Sequence, residues 1–276
     1  MSDRIIRFAA GCLSVMTLWA ASTGALAGSD AERMSDIKKD GGCPRCDLRL
    51  AELRFLTVEN ADFQRANLRE TDLKEAVLPN ANFQDADLRR AEAERADFSG
   101  SNFTDASMRS VDLEKANLSN ANLTGVDLRD ADLNASIANN AIFDDADLRN
   151  VTLIRSVMEG ASFKGAKMDE VNLERVDVSG ANFENARIRQ GKLDRIKAHG
   201  ANFSGADFTG VRLVSSDLSN ANLTGVDFDG ALLRRTRLVG ADLTGAQNLD
   251  PSRILGACGD DSTKLPSGIE LIKCSY

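Results

Sequence analysis

Ala61-Asp62-Phe63-Gln64-Arg65, Ala66-Asn67-Leu68-Arg69-Glu70 and Thr71-Asp72-Leu73-Lys74-Glu75 are three consecutive copies of one five-residue phrase. Read outward, the phrase keeps register without insertion from Cys46 to Gly245, 40 pentads in all. The third position is Leu 21 times, Phe 10 times and Met 3 times, and Val, Ala or Ile fill the rest. The first position is Ala 23 times and Val 7 times. Asp, Asn, Arg, Glu, Lys, Ser and Gly lie between. A period of five fits neither the 3.6 of a helix nor the 2.0 of a long strand. A short fixed period is the signature of a repeat architecture.

One large and one small inward residue per five describe a chain that turns a corner every pentad. Four corners close a square coil, and coils stacked about 4.8 Å apart would bury those residues. A second period of 20 supports this. Phe63, Phe83, Phe103, Phe143, Phe163, Phe183 and Phe203 share one face with Leu123, Leu223 and Leu243. The fifth position of the preceding face is Asn or Gly throughout, from Asn60 and Asn80 to Gly240. These residues tolerate positive φ, as does the second central position of a type II turn. Type II corners are therefore expected on this face and on the Phe63 face. The other two faces carry Arg, Glu, Lys or Ser there and are expected to use a different turn type.

The pattern resembles the pentapeptide repeat family, with its A(D/N)LXX phrase, over about 200 of the 276 residues. The resemblance implies an all-β fold, a right-handed quadrilateral parallel β-helix of about ten coils with small terminal caps. The repeat residues themselves are core residues and imply little about function.

Residues 1–27 read as a secretory signal peptide. Arg4 and Arg7 precede a mainly apolar stretch from Phe8 to Ala21, and Ala25-Leu26-Ala27 offers a small-x-small cleavage site before Gly28. The stretch is short for a membrane span. Ala9-Ala10-Gly11-Cys12 is similar to a lipoprotein site but comes too early in the chain. Residues 28–45 form an N-terminal lead. Ser29 and Glu32 fit a capping box for a short helix, and an irregular polar lead fits as well. Residues 46–245 are the repeats and 246–276 a C-terminal cap. Leu249, Ile254, Leu255, Leu265, Ile269 and Leu271 are placed to cover the last coil. No membrane span is expected after cleavage, and the location is periplasmic or secreted.

Cleavage would remove Cys12 and leave Cys43, Cys46, Cys258 and Cys274. Ten coils would separate the chain ends by roughly 50 Å. Local pairing, Cys43 with Cys46 and Cys258 with Cys274, is then the economical connectivity. For Cys43-Pro44-Arg45-Cys46, a redox motif, a metal half-site and free thiols are alternatives to a structural clasp. The net charge of −8 becomes −9 once Asp3, Arg4 and Arg7 are lost. Direct nucleic-acid binding is not expected of such an acidic chain.

The residues offer no catalytic constellation, metal site or cofactor motif. His199, the only histidine, falls at an outward corner with no Cys or Ser nucleophile beside it. Three outward ladders stand out. Arg49, Arg69, Arg89, Arg109, Arg129 and Arg149 recur every 20 residues, flanked by Asp47, Asp87, Asp127 and Asp147. They could receive an anionic polymer or protein partner, or simply pair with the aspartates. Asn82, Asn102 and Asn122, then Asn182, Asn202 and Asn222, suit stacked amides. Asp85, Asp105 and Asp145 lack a calcium-loop spacing. Ile137, Ile142 and Val157 point outward as a small docking patch. Leu50 and Phe55 are expected to contact the N-terminal cap. Together these point to an exported, non-enzymatic scaffold with an unidentified partner, monomeric or an end-to-end dimer. An acidic DNA-mimic rod acting on a protein such as gyrase is the alternative.

Overall fold

The computed structural model describes residues 29–275. The leader sequence, Cys12 and the Gly28 start lie outside these residues. Helix α1 (Asp30–Asp40) opens the chain, capped by the reciprocal Ser29–Glu32 box and ended by Gly41 in the left-handed region. Ile37 of α1 is buried and Met34 packs beside it, so the helix seals the open end of the first coil.

Five backbone N–H groups per pentad define the coil. The first turns back on the preceding pentad, as Ala66 N–H does to the Phe63 carbonyl at 2.9 Å. The second donates to the coil before, Asn82 to the Ala61 carbonyl at 2.8 Å. The third and fifth donate to the coil after, Phe63 to Asn82 at 2.8 Å and Arg65 to Gln84 at 2.9 Å. The fourth goes to a side chain, Gln64 N–H to Asp62 Oδ1 at 3.0 Å and Ser99 N–H to Asp97 Oδ1 at 3.0 Å. This explains the Asp and Asn of the second position, since a buried or half-buried N–H needs a partner.

In some pentads whose second residue is unsuited, another side chain takes over. Thr152, Val157, Ser162 and Arg212 occupy that position in four pentads. There the acceptor comes from the fourth residue one coil earlier. Asn134, Asn139, Asp144 and Asp194 receive the N–H groups of Ile154, Glu159, Lys164 and Val214 at 2.7–3.1 Å.

Parallel bridges join each second-position residue to its partner 20 residues on, from Gly42–Asp62 to Asp227–Gln247. Most of the ladder consists of single bridges rather than extended strands. A corner every five residues leaves three residues between turns, too few for a long strand. Short strands appear towards the C-terminus. There β1 (Arg212–Val214), β2 (Leu232–Arg234) and β3 (Ile254–Leu255) form a parallel sheet. A second pair, β4 (Cys258–Gly259) and β5 (Ile272–Lys273), lies in the tail.

One expectation fails. Every fifth residue from Arg45 to Gly245 has positive φ, between 54° and 71°, on all four faces. Ser110, assigned by its sequence to a different corner, has φ 56°. The fifth N–H donates to the next coil at nearly every corner, so the hydrogen-bond ladder overrides residue preference. The Asn/Gly corner column also has a steric basis. Asn140 Oδ1 lies 2.7 Å from where a Cβ on Gly160 would sit, and Asn80 and Asn220 crowd Gly100 and Gly240 likewise.

Inside, the phenylalanine column stacks with ring centroids 4.7–5.2 Å apart and nearly parallel planes. Phe98 meets Phe83 and Phe103 edge-on, and Ala93 in the same coil offsets its volume. Buried first-position hydroxyls donate to the coil before, Thr71 to the Leu48 carbonyl at 2.8 Å and Ser156 to Leu133 at 2.6 Å.

The caps depart from expectation in two places. Leu50 and Phe55 remain 70% and 62% exposed, because α1 sits over the coil axis while fifth-position side chains project from the corners. Leu249, Leu265 and Leu271 pack on the core, whereas Leu255 is half exposed. The bridge ladder continues into the tail through Arg237–Cys258 and Asp242–Lys264.

Candidate functional site

The outward second and fourth positions of each face form the candidate surfaces. In the arginine ladder, Arg49, Arg89, Arg129 and Arg149 each fork onto the aspartate two residues earlier. Arg129 Nε and Nη2 lie 2.7 and 2.6 Å from Asp127, and Arg149 lies 2.8 and 2.6 Å from Asp147. The Arg129 side chain holds the Asp127 carboxyl below its usual range. Burial opposes the same effect at Asp87 and Asp147, and Arg89 and Arg149 outweigh it. Arg69 and Arg109 follow Asn67 and Ser107 instead, so the fork is missing. Their Nε atoms are buried without a hydrogen-bond partner, and their guanidinium tips lie 3.8 Å from Glu70 and 3.6 Å from Asp127. Further along, Arg187 forks onto Asp169, and Arg189 Nε reaches Asp207 at 2.6 Å.

The asparagine ladder is a chain of amides along the coil axis. Asn202 donates to Asn182 at 2.9 Å and Asn222 to Asn202 at 3.0 Å. Each oxygen also takes a fourth-position N–H, such as Ser204 to Asn202 at 3.1 Å. The ladder is therefore part of the coil's own bonding. In the acidic group, Arg65 Nε lies 3.3 Å from Asp85, and Asp144 accepts from Ser162 and Lys164. Among the described residues, no group of three or more His, Cys, Asp or Glu is placed to hold a metal ion.

Ile137 and Ile142 are 45% and 41% exposed, and Ile137 bridges to half-buried Val157. His199 is exposed at its corner. Cys43 is bonded to Cys46, with Cα atoms 5.6 Å apart, and Cys258 to Cys274, with Cα atoms 4.9 Å apart. These two bonds sit at opposite ends of the repeat.

A surface feature that residue-by-residue reading misses emerges when whole faces are compared. The face of Leu53, Leu73 and their successors carries eight carboxylates and four basic side chains in the pentads that begin at residues 51, 71, 91, 111 and 131. In those that begin at 151, 171, 191, 211 and 231 it carries two carboxylates and seven basic side chains. The net charge thus passes from −4 to +5 along one face. The other three faces go from −4 to −1, +1 to −2 and −2 to −1.

No curated protein sequence matches the chain. Among solved structures it is similar to HetL, a pentapeptide repeat protein involved in heterocyst differentiation regulation in Nostoc sp. strain PCC 7120. The identity is 27%, over 84% of this chain and 96% of that one, with a TM-score of 0.42. It is also similar to QnrB1, a plasmid-mediated fluoroquinolone resistance protein, at 20% identity over 74% of this chain and 91% of that one, with a TM-score of 0.30. A pentapeptide repeat protein of the Arabidopsis thaliana thylakoid lumen is 28% identical over 42% of this chain and 70% of that one, with a TM-score of 0.18. The pentapeptide repeats model matches in 8 copies, in segments that together span residues 46–120 and 141–246. Forty in-register pentads, their bridges at 20-residue spacing and this match carry one conclusion: the chain belongs to the pentapeptide repeat family.

Proposed function

We propose that the protein is a non-enzymatic scaffold, exported to the periplasm or cell exterior, that presents rigid charged faces to another macromolecule. In this reading the coil is right-handed and makes about ten turns. The observation that carries it is the fixing of outward side chains in files repeated every 20 residues on a continuous core. Such a surface is preorganised for binding. Export rests on the leader sequence and on four cysteines paired at the two ends. The arginine file from Arg69 to Arg149 and the Ile137–Ile142–Val157 patch are the candidate contacts. A DNA-mimic role is the weaker reading, because the strongly basic half of one face is unlike a polyanion.

Expression with the native leader, fractionation and N-terminal sequencing test the reading. It requires a mature chain that begins at Gly28, lies outside the cytosol and has no free thiols. Capture from the native envelope fraction should then identify a partner whose retention falls on Arg89→Glu/Arg109→Glu substitution. A cytosolic chain with an intact N-terminus and free thiols would overturn export. Inhibition of gyrase supercoiling by that chain would establish the mimic reading instead.

A further inference from the structure

We infer that two copies of this chain pair side by side and antiparallel through the face that runs from acidic to basic, as a two-fold dimer. A face of net −4 in one half and +5 in the other is self-complementary only when a second copy is laid along it in the reverse direction. Each acidic half then meets a basic half, and the contact closes on itself as a two-fold interface does. A parallel pair in register would place like charge on like.

The minority charge of each half is paired within the chain, and part of the majority charge is left over. Such pairs include Arg54–Asp72 at 2.5 Å, Arg195–Glu174 at 3.4 Å and Lys74–Glu94 at 3.3 Å. Among the described residues, Glu52, Asp112 and Asp132 in one half form no ion pair. Nor do Arg155, Lys192, Arg234 and Arg235 in the other. The acidic file stacks like charges one coil apart: Glu92 bridges Asp112, and Asp112 bridges Asp132. Like charges directly opposed across a bridge destabilise it. Burial, with the nearby Glu94 and Asp132, raises the Asp112 carboxyl above its ordinary range. A basic partner surface would relieve this repulsion.

The face is roughly 50 Å long at about 4.8 Å per coil, and only a few residues wide. Its area is at the low end for specific protein interfaces. Complementary charge in such an interface fixes orientation and rate more than affinity. The dimer is therefore expected to be salt-sensitive, since ions at physiological strength screen exposed charges beyond about 8 Å.

The test uses the purified full chain and two surface variants. One replaces Glu92, Glu94 and Glu114 by Lys, and the other replaces Arg175, Lys192 and Arg195 by Glu. Sedimentation equilibrium should give a dimer for the wild type at low ionic strength, shifting to monomer as salt is added. Each variant alone should be monomeric and still cooperatively folded, read by its thermal unfolding transition. Their equimolar mixture should dimerise with one copy of each, read by native mass spectrometry. Zero-length carboxyl-to-amine coupling should join Lys192 to Glu92, Glu94 or Glu114, which are four to five coils away within one chain and adjacent only between antiparallel copies. Three results would overturn the inference: a wild-type monomer at low salt, a variant mixture that stays monomeric, or assemblies that grow past the dimer with concentration.

Discussion

At the residue scale, each pentad position has a distinct physical task, so single substitutions should differ sharply in cost. Phe143 is fully buried and stacked on Phe163, and its replacement by Ala should cost about 3–5 kcal/mol through cavity formation. Leu50→Ala, at a 70% exposed corner, should cost far less. Chemical denaturation of both variants checks this, and similar unfolding free energies would refute the inward assignment of the third position. The fifth position makes a second claim. Ser110 holds φ 56° with a side chain that prefers other conformations, and Ser110→Gly should stabilise the coil by up to about 1 kcal/mol. By contrast, a Cβ at Gly42, with φ 139°, would fall inside the Asp62 backbone. Gly42→Ala should therefore detach the helix-capped end, visible as faster hydrogen exchange of the first coil.

At the scale of elements, the C-terminal cap is one point of acid sensitivity. Asp242 and Asp260 tie the last coil to the tail. The Lys264 side chain, 2.7 Å from Asp242, and Thr244 hold the Asp242 carboxyl at about 2. Ser262 is the main cause of the same shift to about 2 at Asp260, which also receives the Gly240 N–H. Both folded values lie below the unfolded aspartate value of about 3.9, so their contribution is complete above that pH. It is lost as pH falls from about 4 towards 2. Amide exchange in residues 258–264 should rise in this window before exchange in the central coils does. Simultaneous loss of protection throughout would contradict a separately weakened cap. The elements also show what was legible in the chain. The inward Leu and Phe files could be read directly, because they depend on the repeat's own chemistry, whereas the Ser29–Glu32 box was legible only as one of two alternatives for the lead. The uniform positive φ could not be read, because Arg, Glu and Phe at the corners follow the inter-coil hydrogen bonds rather than their own preferences. The exposure of Leu50 and Phe55 was not legible either, because apolar character at an outward corner does not reveal whether the cap reaches it.

At the scale of the whole molecule, one continuous core and four files of outward residues make a body whose surface is set by sequence position modulo 20. The charge reversal along one face illustrates this, since no single pentad displays it and only the folded register assembles it. The same register makes distance along the rod a linear function of residue number. Spin labels on one face test it directly, at Ser99 with Ser179 and at Glu59 with His199. These pairs are four and seven coils apart, so stacking at about 4.8 Å per coil requires separations of about 19 and 34 Å. Narrow distance distributions near those values are the expected result. Broad distributions, or separations that do not grow in the ratio of four to seven, would contradict the stacked coil on which the whole account rests.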